Sequence, residues 1–253
     1  MVHSFLLIGQ SNAAGRGFLG EAEPLDTCQN KLKVLRNGRW QTIYRPVNPD
    51  RAFSGYCFAE SFAKAYSADH PDVEVGIIPC ADGGTTLTQW QPGGLLFDNA
   101  LSCAKLAMRT SCLVGVLWHQ GESDCHDDRY PHYRARFAPI MTALRQELGL
   151  PHLPFLLGGL GDYLVNCTGL PELKNYHHVN AALEQIALND PYCAFVPANG
   201  LASNPDNLHI NTASLKEFGL RYYQAFTQLD GQNAPDTTQT PGEDTQRSAI
   251  ELL

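Results

Sequence analysis

The residues best suited to chemistry lie in four short polar stretches of the sequence. Three of them follow apolar runs that are typical of buried strands, and the fourth precedes the last predicted helix. The stretches are Gly9–Asn12, Asp82–Thr86, His119–Asp124 and Asp206–His209. Together they contain a hydroxyl, imidazoles, carboxylates and glycine-rich backbone. Acyl transfer requires such a set, because it needs a nucleophile, a base, an acid that orients the base, and donors for an oxyanion.

Ser11 is the candidate nucleophile. It follows the apolar run Phe5–Ile8 closely, at the position where open α/β sheets carry catalytic groups. A serine hydroxyl needs a base to take its proton, and His209 is the best candidate for that base. Asp206 precedes His209 by three residues, close enough to hold the imidazole in place. A structural alternative stays open for both motifs, since serine and aspartate at such places are also typical helix N-caps.

Donors for an oxyanion are available in three of these stretches. Gly83 and Gly84 allow the backbone to approach a substrate and to point an N–H group at it, although two glycines also form ordinary flexible turns. Gln120 offers a side-chain amide at the end of the third predicted strand, and the N–H group of Ser11 is a further main-chain donor.

Glu122 permits more than one interpretation. It could hydrogen-bond His209 in place of Asp206, or it could hold its own loop through backbone amides. The short sequence distance to His209 favours Asp206 as the acid. A different interpretation is a metal-dependent hydrolase that uses His119, Glu122 and Asp124, but a zinc site would need a further ligand that the sequence does not place.

Alternating strands and helices must position these stretches. Strands are predicted at Phe5–Ile8, Val73–Ile78, Leu113–Trp118, Phe155–Leu160 and Ala194–Val196. Helices are predicted at Phe58–Ala68, Phe97–Arg109, Tyr130–Leu148, Glu172–Leu188 and Thr212–Leu229. This alternation predicts an α/β fold with a five-stranded, mostly parallel sheet and helices on both faces. Parallel strands bring the polar stretches to one rim of the sheet.

Two further segments lie outside this alternation. Lys31–Ile43 alternates in polarity and contains Asn37-Gly38, a strong hairpin signal, so we predict a small surface hairpin inserted in a loop. Residues 230–253 are rich in Gln, Thr, Pro, Asp and Gly, which predicts a disordered C-terminal tail. Residues 1–229 are therefore expected to form a single domain.

Composition excludes several classes of partner. The formal net charge is −8 and no cluster of lysine and arginine is present, which argues against nucleic acid and against an anionic membrane surface. No apolar run approaches the roughly 18 residues of a transmembrane helix. The N-terminus lacks the features of a signal peptide, so we expect a cytoplasmic protein. Its eight cysteines form no Cys-x-x-Cys pair and are expected to be reduced thiols.

Taken together, the polar stretches resemble the signature blocks of SGNH-type carbohydrate esterases. The resemblance is strongest to carbohydrate esterase family six and the sialate O-acetylesterase-like domain. It extends in order from Ser4 to about Tyr223. The matching blocks are Gly9–Asn12, Gly83–Thr85 with Trp90 downstream, His119–Asp124 and Asp206–His209. Each block is weak alone, but their joint occurrence at these spacings is specific.

The resemblance implies a three-layer α/β/α sandwich, SGNH-hydrolase-like and flavodoxin-like, and a serine mechanism without metal or cofactor. It implies removal of acetyl groups from sugar hydroxyls, as in acetylxylan or sialate esterases, so the expected partner is an acetylated sugar or oligosaccharide. Ser11 would be the nucleophile, His209 the base and Gln120 an oxyanion donor, with Gly84 favoured as the glycine donor. The acid stays open between Asp206 and Glu122. Substrate contacts are expected at Gln10, Asn12, Gly83, Thr85 and Trp90.

Two other classes of protein are alternatives. A non-catalytic carbohydrate-binding module could stack sugars on Trp90, Trp118 and Tyr163, although aromatic residues beside strand ends more often belong to the core. A dinucleotide-binding site would use Gly15-x-Gly-x-x-Gly20. That motif begins too far beyond the first predicted strand to meet a pyrophosphate, so no cofactor is expected.

Overall fold

The central sheet has seven strands among the residues that the computed structural model describes, which are 1–25, 31–229, 236 and 238–242. The strands are β1 Val2–Gly9, β2 Leu32–Arg36, β3 Arg39–Thr42, β4 Glu74–Pro79, β5 Ser111–His119, β6 Phe155–Gly158 and β7 Cys193–Val196. Their order is β3-β2-β4-β1-β5-β6-β7, and every neighbouring pair is parallel except β2 and β3. β1, which leads to Ser11, therefore lies in the middle of the sheet.

Six α-helices accompany the strands in the described part of the chain. They are α1 Ser11–Ala14, α2 Phe58–Asp69, α3 Leu95–Ala107, α4 Tyr133–Leu148, α5 Tyr176–Asn189 and α6 Thr212–Thr227. The five longer helices confirm the helices predicted from the sequence. α2 packs against α6, while α3, α4 and α5 pack side by side in a second group.

The two groups of helices cover opposite faces of the sheet. The ring of Phe5 in β1 packs against Phe226 of α6, with 5.6 Å between the ring centroids. The ring of Trp118 in β5 packs against Phe137 of α4 at 4.8 Å. Phe5 pairs with Gly115, three residues before Trp118, so the alternation of side chains places the two rings on opposite faces. The α/β fold with three layers is thereby confirmed.

The strand count of five is wrong, because the hairpin joins the sheet. β2 and β3 form the predicted hairpin, but β2 also pairs in parallel with β4, as in the pair Val34 and Ile77. The ring of Trp40 in β3 lies over Gly76 of β4, where a side-chain Cβ would come within 2.5 Å of the ring. Trp40 is therefore buried, and the hairpin extends the sheet at one edge instead of lying on the surface.

The predicted tail falls largely on residues outside the described ones. Of the residues that are described there, Gln239 uses its side-chain amide to accept from Leu113 N–H at 2.7 Å and to donate to Leu113 C=O at 3.0 Å. Seven cysteines are free thiols, and Cys28 lies outside the described residues. Among the described residues, the helices are too short or too polar for any of them to cross a membrane.

Candidate active site

Ser11 lies at a tight turn at the end of β1. Gly9 has a φ of +131°, and a Cβ at this position would lie 2.0 Å from the carbonyl oxygen of His119 in the adjacent strand. Glycine is therefore required for the chain to pass this close to β5. Ser11 is the first residue of α1, and Gln10 occupies the N-cap position without a capping side-chain hydrogen bond. The alternative interpretation of Ser11 as an N-cap is wrong.

His209 and Asp206 complete a continuous chain of hydrogen-bonding groups. His209 Nε2 lies 3.1 Å from Ser11 Oγ, and His209 Nδ1 lies 2.7 Å from Asp206 Oδ2. The other oxygen of Asp206 accepts from the main-chain N–H groups of Leu208 and His209, both at 2.9 Å. The next helix, α6, is capped instead by Asn211. Asp206 thus forms the turn that carries His209 and faces its imidazole.

The surroundings of Asp206 keep its carboxyl ionised. Partial burial raises the pKa of Asp206, but the hydrogen bonds from the N–H groups of His209 and Leu208 and from the His209 ring outweigh it. The pKa of Asp206 therefore lies below its ordinary value. At neutral pH the group is a carboxylate that can accept a hydrogen bond from the Nδ1–H group of His209.

Glu122 does not reach His209. Its Oε1 accepts from Asn12 Nδ2 at 2.6 Å and lies 3.5 Å from His119 Nε2. Asn12 in turn accepts from Ile210 N–H at 2.9 Å, and its Nδ2 also lies 3.2 Å from the carbonyl oxygen of Leu208. Glu122 is therefore linked to the His209 segment through the side chain of Asn12.

The two glycines of the second stretch have different surroundings. Gly83 N–H donates to Asp50 Oδ2 at 2.9 Å, and Asp50 is paired with Arg16 at 2.7 Å. Gly84 has a φ of +78° and open space where a side chain would be. Within the described part of the chain, neither Gly84 N–H nor Ser11 N–H donates a hydrogen bond. These two donors are free to bind an oxyanion.

Gln120 is not available as an oxyanion donor. Its Nε2 donates to the carbonyl oxygen of Thr85 at 3.0 Å and to Asp124 Oδ2 at 2.6 Å, and its Oε1 accepts from the hydroxyl of Tyr133. The residue is fully buried. Because both N–H groups of the amide already have acceptors, the structure does not support the role predicted for Gln120.

The structure separates the expected substrate contacts into two groups. Gln10 and Gly83 line the cavity at Ser11. Asn12, Thr85 and Trp90 are buried, and Trp90 Nε1 donates to Thr85 Oγ1 at 3.0 Å. These three side chains hold the loops together from within. They do not face the cavity, which corrects the expectation that they contact a sugar.

The proposed metal ligands do not converge. His119, Glu122 and Asp124 are all buried, but Asp124 Oδ2 accepts from Leu87 N–H and from Gln120 and so points away from the other two. Within the described ranges, no group of three or more His, Cys, Asp or Glu side chains is arranged to hold a metal ion.

Two cavities meet beside the imidazole of His209. The first, of about 470 Å³, is lined by Ser11, Gly84 and His209 together with the cationic side chains of Arg51 and Arg129. The second, of about 510 Å³, shares His209, Arg16 and Phe53 with the first. Its remaining walls include the apolar side chains of Phe18, Leu19 and Pro205. Phe53, at the boundary between the cavities, is 69% exposed.

Comparison with known proteins gives consistent results. A family model described as carbohydrate esterase, sialic acid-specific acetylesterase (SASA), matches residues 1–228. A probable carbohydrate esterase of Arabidopsis thaliana is 27% identical over an alignment of 247 residues, and the match covers 88% of this chain and 89% of the relative. The crystal structure of that Arabidopsis protein has a TM-score of 0.76 at 26% identity and covers 88% of this chain and 96% of its own.

Two further crystal structures share the fold. NanS has a TM-score of 0.70 at 18% identity, covering 90% of this chain and 97% of its own. A carbohydrate acetylesterase from Xanthomonas citri has a TM-score of 0.66 at 21% identity, covering 90% of this chain and 56% of its own. At these identities the likeness shows the fold alone.

Proposed function

Because the chain belongs to the SASA family of carbohydrate esterases and is a carboxylic ester hydrolase, we propose that it removes O-acetyl groups from a carbohydrate through a Ser11–His209–Asp206 mechanism. The observation that carries this proposal is the unbroken contact from Ser11 Oγ to His209 Nε2, and from His209 Nδ1 to Asp206 Oδ2. A nucleophile, a base and a carboxylate that orients the base are the parts that a serine esterase requires.

The reaction follows from these positions. His209 Nε2 takes the proton of Ser11 as Oγ attacks the acetyl carbonyl carbon, and Asp206 stabilises the imidazolium that forms. The N–H groups of Ser11 and Gly84 bind the oxyanion. When the tetrahedral intermediate collapses, His209 gives its proton to the sugar oxygen, the sugar leaves and Ser11 is acetylated. His209 then activates a water molecule, which releases acetate and restores Ser11.

The second cavity, of about 510 Å³, offers room for the alcohol part of the substrate. The leaving oxygen must lie next to His209 Nε2, because that atom protonates it. The sugar therefore extends over His209, where the second cavity begins. Phe53 offers an exposed ring at this boundary, and the apolar face of a sugar ring can pack on such a ring.

Hydrolysis of p-nitrophenyl acetate by Ser11→Ala and His209→Ala tests the mechanism. We expect each substitution to lower kcat by about 10³-fold or more, with unchanged activity of the wild type after dialysis against EDTA. Mass spectrometry of the wild type mixed rapidly with substrate should show one added acetyl group on Ser11. Activity that survives Ser11→Ala and is lost with EDTA would instead support a metal-dependent hydrolase. A wild type that binds acetylated sugars but never hydrolyses them would support a binding module.

A further inference from the structure

Gln10 lies at the cavity with its amide held in one orientation. Only 3% of the residue is exposed, and that surface contributes to the cavity lined by Ser11 and Gly84. Its Oε1 accepts from two main-chain N–H groups, those of Gly121 and Ser123, each at 3.3 Å. Two donors converge on this end of the amide, so the oxygen must occupy it and Nε2 must lie at the other end.

The Nε2 group of Gln10 has no acceptor within the described protein. It donates no hydrogen bond to a described residue. It is also not one of the fully enclosed side-chain atoms without a partner, so part of its surface is accessible. A buried amide with a free N–H group is costly unless that group meets water or a ligand. Since Gln10 is one of the residues that line the cavity, this N–H group is available to whatever occupies the cavity.

The side-chain donor that the sequence predicts for the oxyanion is not available at the cavity. Gln120 was expected to supply an amide to the oxyanion, but both of its N–H groups already have acceptors. Gly83 N–H is likewise bound to Asp50, which leaves the main-chain donors of Ser11 and Gly84. Gln10 immediately precedes Ser11 in the chain, and its free amide N–H opens onto the same cavity.

We infer that Gln10 Nε2 is the side-chain donor of the oxyanion hole, in the role that Gln120 cannot fill. In the tetrahedral intermediate the acyl oxygen would accept from Gln10 Nε2 as well as from Ser11 N–H and Gly84 N–H. The amide is held rigidly through its oxygen, so it does not have to reorient when the negative charge develops. This inference rests on the proposed function, because the oxyanion exists only if Ser11 attacks an ester.

Two substitutions at Gln10 separate this role from a purely structural one. Gln10→Glu keeps an acceptor oxygen for Gly121 and Ser123 but replaces the N–H donor with a second oxygen. Gln10→Met keeps a similar shape but removes both the acceptor and the donor. A catalytic donor predicts that Gln10→Glu loses at least as much kcat as Gln10→Met, because it also places a negative charge beside the oxyanion. A structural acceptor predicts the opposite order.

The measurement is kcat and KM for p-nitrophenyl acetate, with the melting temperature of each variant and Ser11→Ala in parallel. We expect kcat to fall about 10²- to 10³-fold in both Gln10 variants, with KM little changed and Gln10→Glu near the wild-type melting temperature. Gln89→Glu makes the same change at an exposed glutamine that does not line the cavity, so it is the matched control and should keep full activity.

Near wild-type activity in Gln10→Glu would overturn the inference. So would a larger loss in Gln10→Met than in Gln10→Glu. If Gln10→Met does not fold, Gln10→Glu decides alone, through loss or retention of kcat at an unchanged melting temperature. Activity that survives Ser11→Ala would refute the proposed function itself, whereas an inactive Ser11→Ala beside an active Gln10→Glu refutes only the role of Gln10.

Discussion

The carboxylate of Asp206 combines two tasks that Glu122 cannot share. One oxygen of Asp206 accepts two main-chain N–H groups and fixes the turn, and the other faces His209 Nδ1. Glu122 is more deeply buried, and its Oε1 contacts Asn12. Asp206 therefore both fixes its turn and faces the imidazole, whereas Glu122 contacts the neighbouring loops through Asn12.

Asp206→Asn should reduce catalysis without unfolding the protein. The amide oxygen can still accept the N–H groups of the turn, but an amide N–H₂ facing His209 Nδ1 favours the wrong tautomer of the imidazole. We expect kcat/KM for p-nitrophenyl acetate to fall about 10²- to 10⁴-fold at an unchanged melting temperature. Glu122→Gln, which keeps an acceptor for Asn12, is the control and should retain more activity. The reverse order of losses would make Glu122 the acid.

At this scale the sequence indicated the reacting groups but not which donors were free. Ser11, His209 and Asp206 were expected to meet, and they do, because each lies beside a turn whose geometry the local sequence determines. Whether an amide is free depends on partners that are distant in the sequence. Gln120 donates to the carbonyl oxygen of Thr85, 35 residues away, and no local pattern indicates such a contact.

At the scale of elements, Asn12 ties together the loops that carry the reacting groups. It belongs to α1, its Nδ2 lies close to Glu122 after β5, and its Oδ1 accepts from Ile210 beside His209. The residue is fully buried. The side chain of Asn12, next to Ser11 in the sequence, thus helps to fix the position of Ser11 relative to His209.

Asn12→Ala should therefore destabilise the fold as well as lower activity. It removes the close donor of a buried carboxylate and leaves Ile210 N–H without its acceptor. Since a buried polar group that loses its partner costs about 1–3 kcal/mol, and more if charged, we expect a loss of about 3 kcal/mol in the free energy of unfolding. Urea denaturation measures it, with Asn99→Ala at an exposed position of α3 as control. A change below about 1 kcal/mol would contradict this role.

The loop between β3 and α2 carries Phe53, whose exposed ring should bind the sugar and not the acyl group. We expect Phe53→Ala to lower kcat/KM for an acetylated disaccharide about 3- to 10-fold, since one aromatic contact contributes about 0.5–1.5 kcal/mol. Activity on ethyl acetate should stay within about twofold, because the alcohol part of that ester has no ring that could pack on Phe53. Leu188→Ala on α5, 77% exposed and outside both cavities, is the control. Equal losses on both substrates would contradict the assignment.

The hairpin shows where prediction of the elements stops. Its turn at Asn37-Gly38 is determined by two adjacent residues and was predicted correctly. Its parallel pairing with β4 depends on Trp40 covering Gly76, a contact between residues 36 positions apart. Neither residue alone indicates a sheet edge. The sequence therefore predicts the hairpin but not that β2 and β3 extend the sheet.

At the scale of the whole molecule, one buried ion pair joins three distant parts of the chain beside the loop that carries Gly83 and Gly84. Arg16 follows α1, Asp50 follows the hairpin, and Gly83 follows β4. The Arg16–Asp50 pair has a distance of 2.7 Å, and the same Asp50 oxygen accepts from Gly83 N–H at 2.9 Å. The conformation of the loop that carries Gly84 therefore depends on the ionised carboxylate of Asp50.

This dependence should be visible as the pH is lowered. Burial raises the pKa of Asp50, but hydrogen bonds from Arg16, Ser54 and Gly83 and the charge of Arg16 outweigh it, so the pKa lies below its ordinary value. The folded state then binds fewer protons than the unfolded state, so the stabilisation is complete above about pH 4 and is lost as the pH falls through the folded pKa.

Asp50→Asn leaves Arg16 buried without its partner and should cost about 3–5 kcal/mol at pH 7. Urea denaturation at decreasing pH should show the difference in stability between wild type and variant narrowing below about pH 4, because Asp50 takes up a proton in the unfolded wild type before it does so in the folded state. Asp82→Asn, which removes the partner of the exposed Arg51, should differ from wild type by about 1 kcal/mol or less at every pH. A gap for Asp50→Asn that stays constant or widens on acidification would mean that the ionised carboxylate does not hold these three segments together.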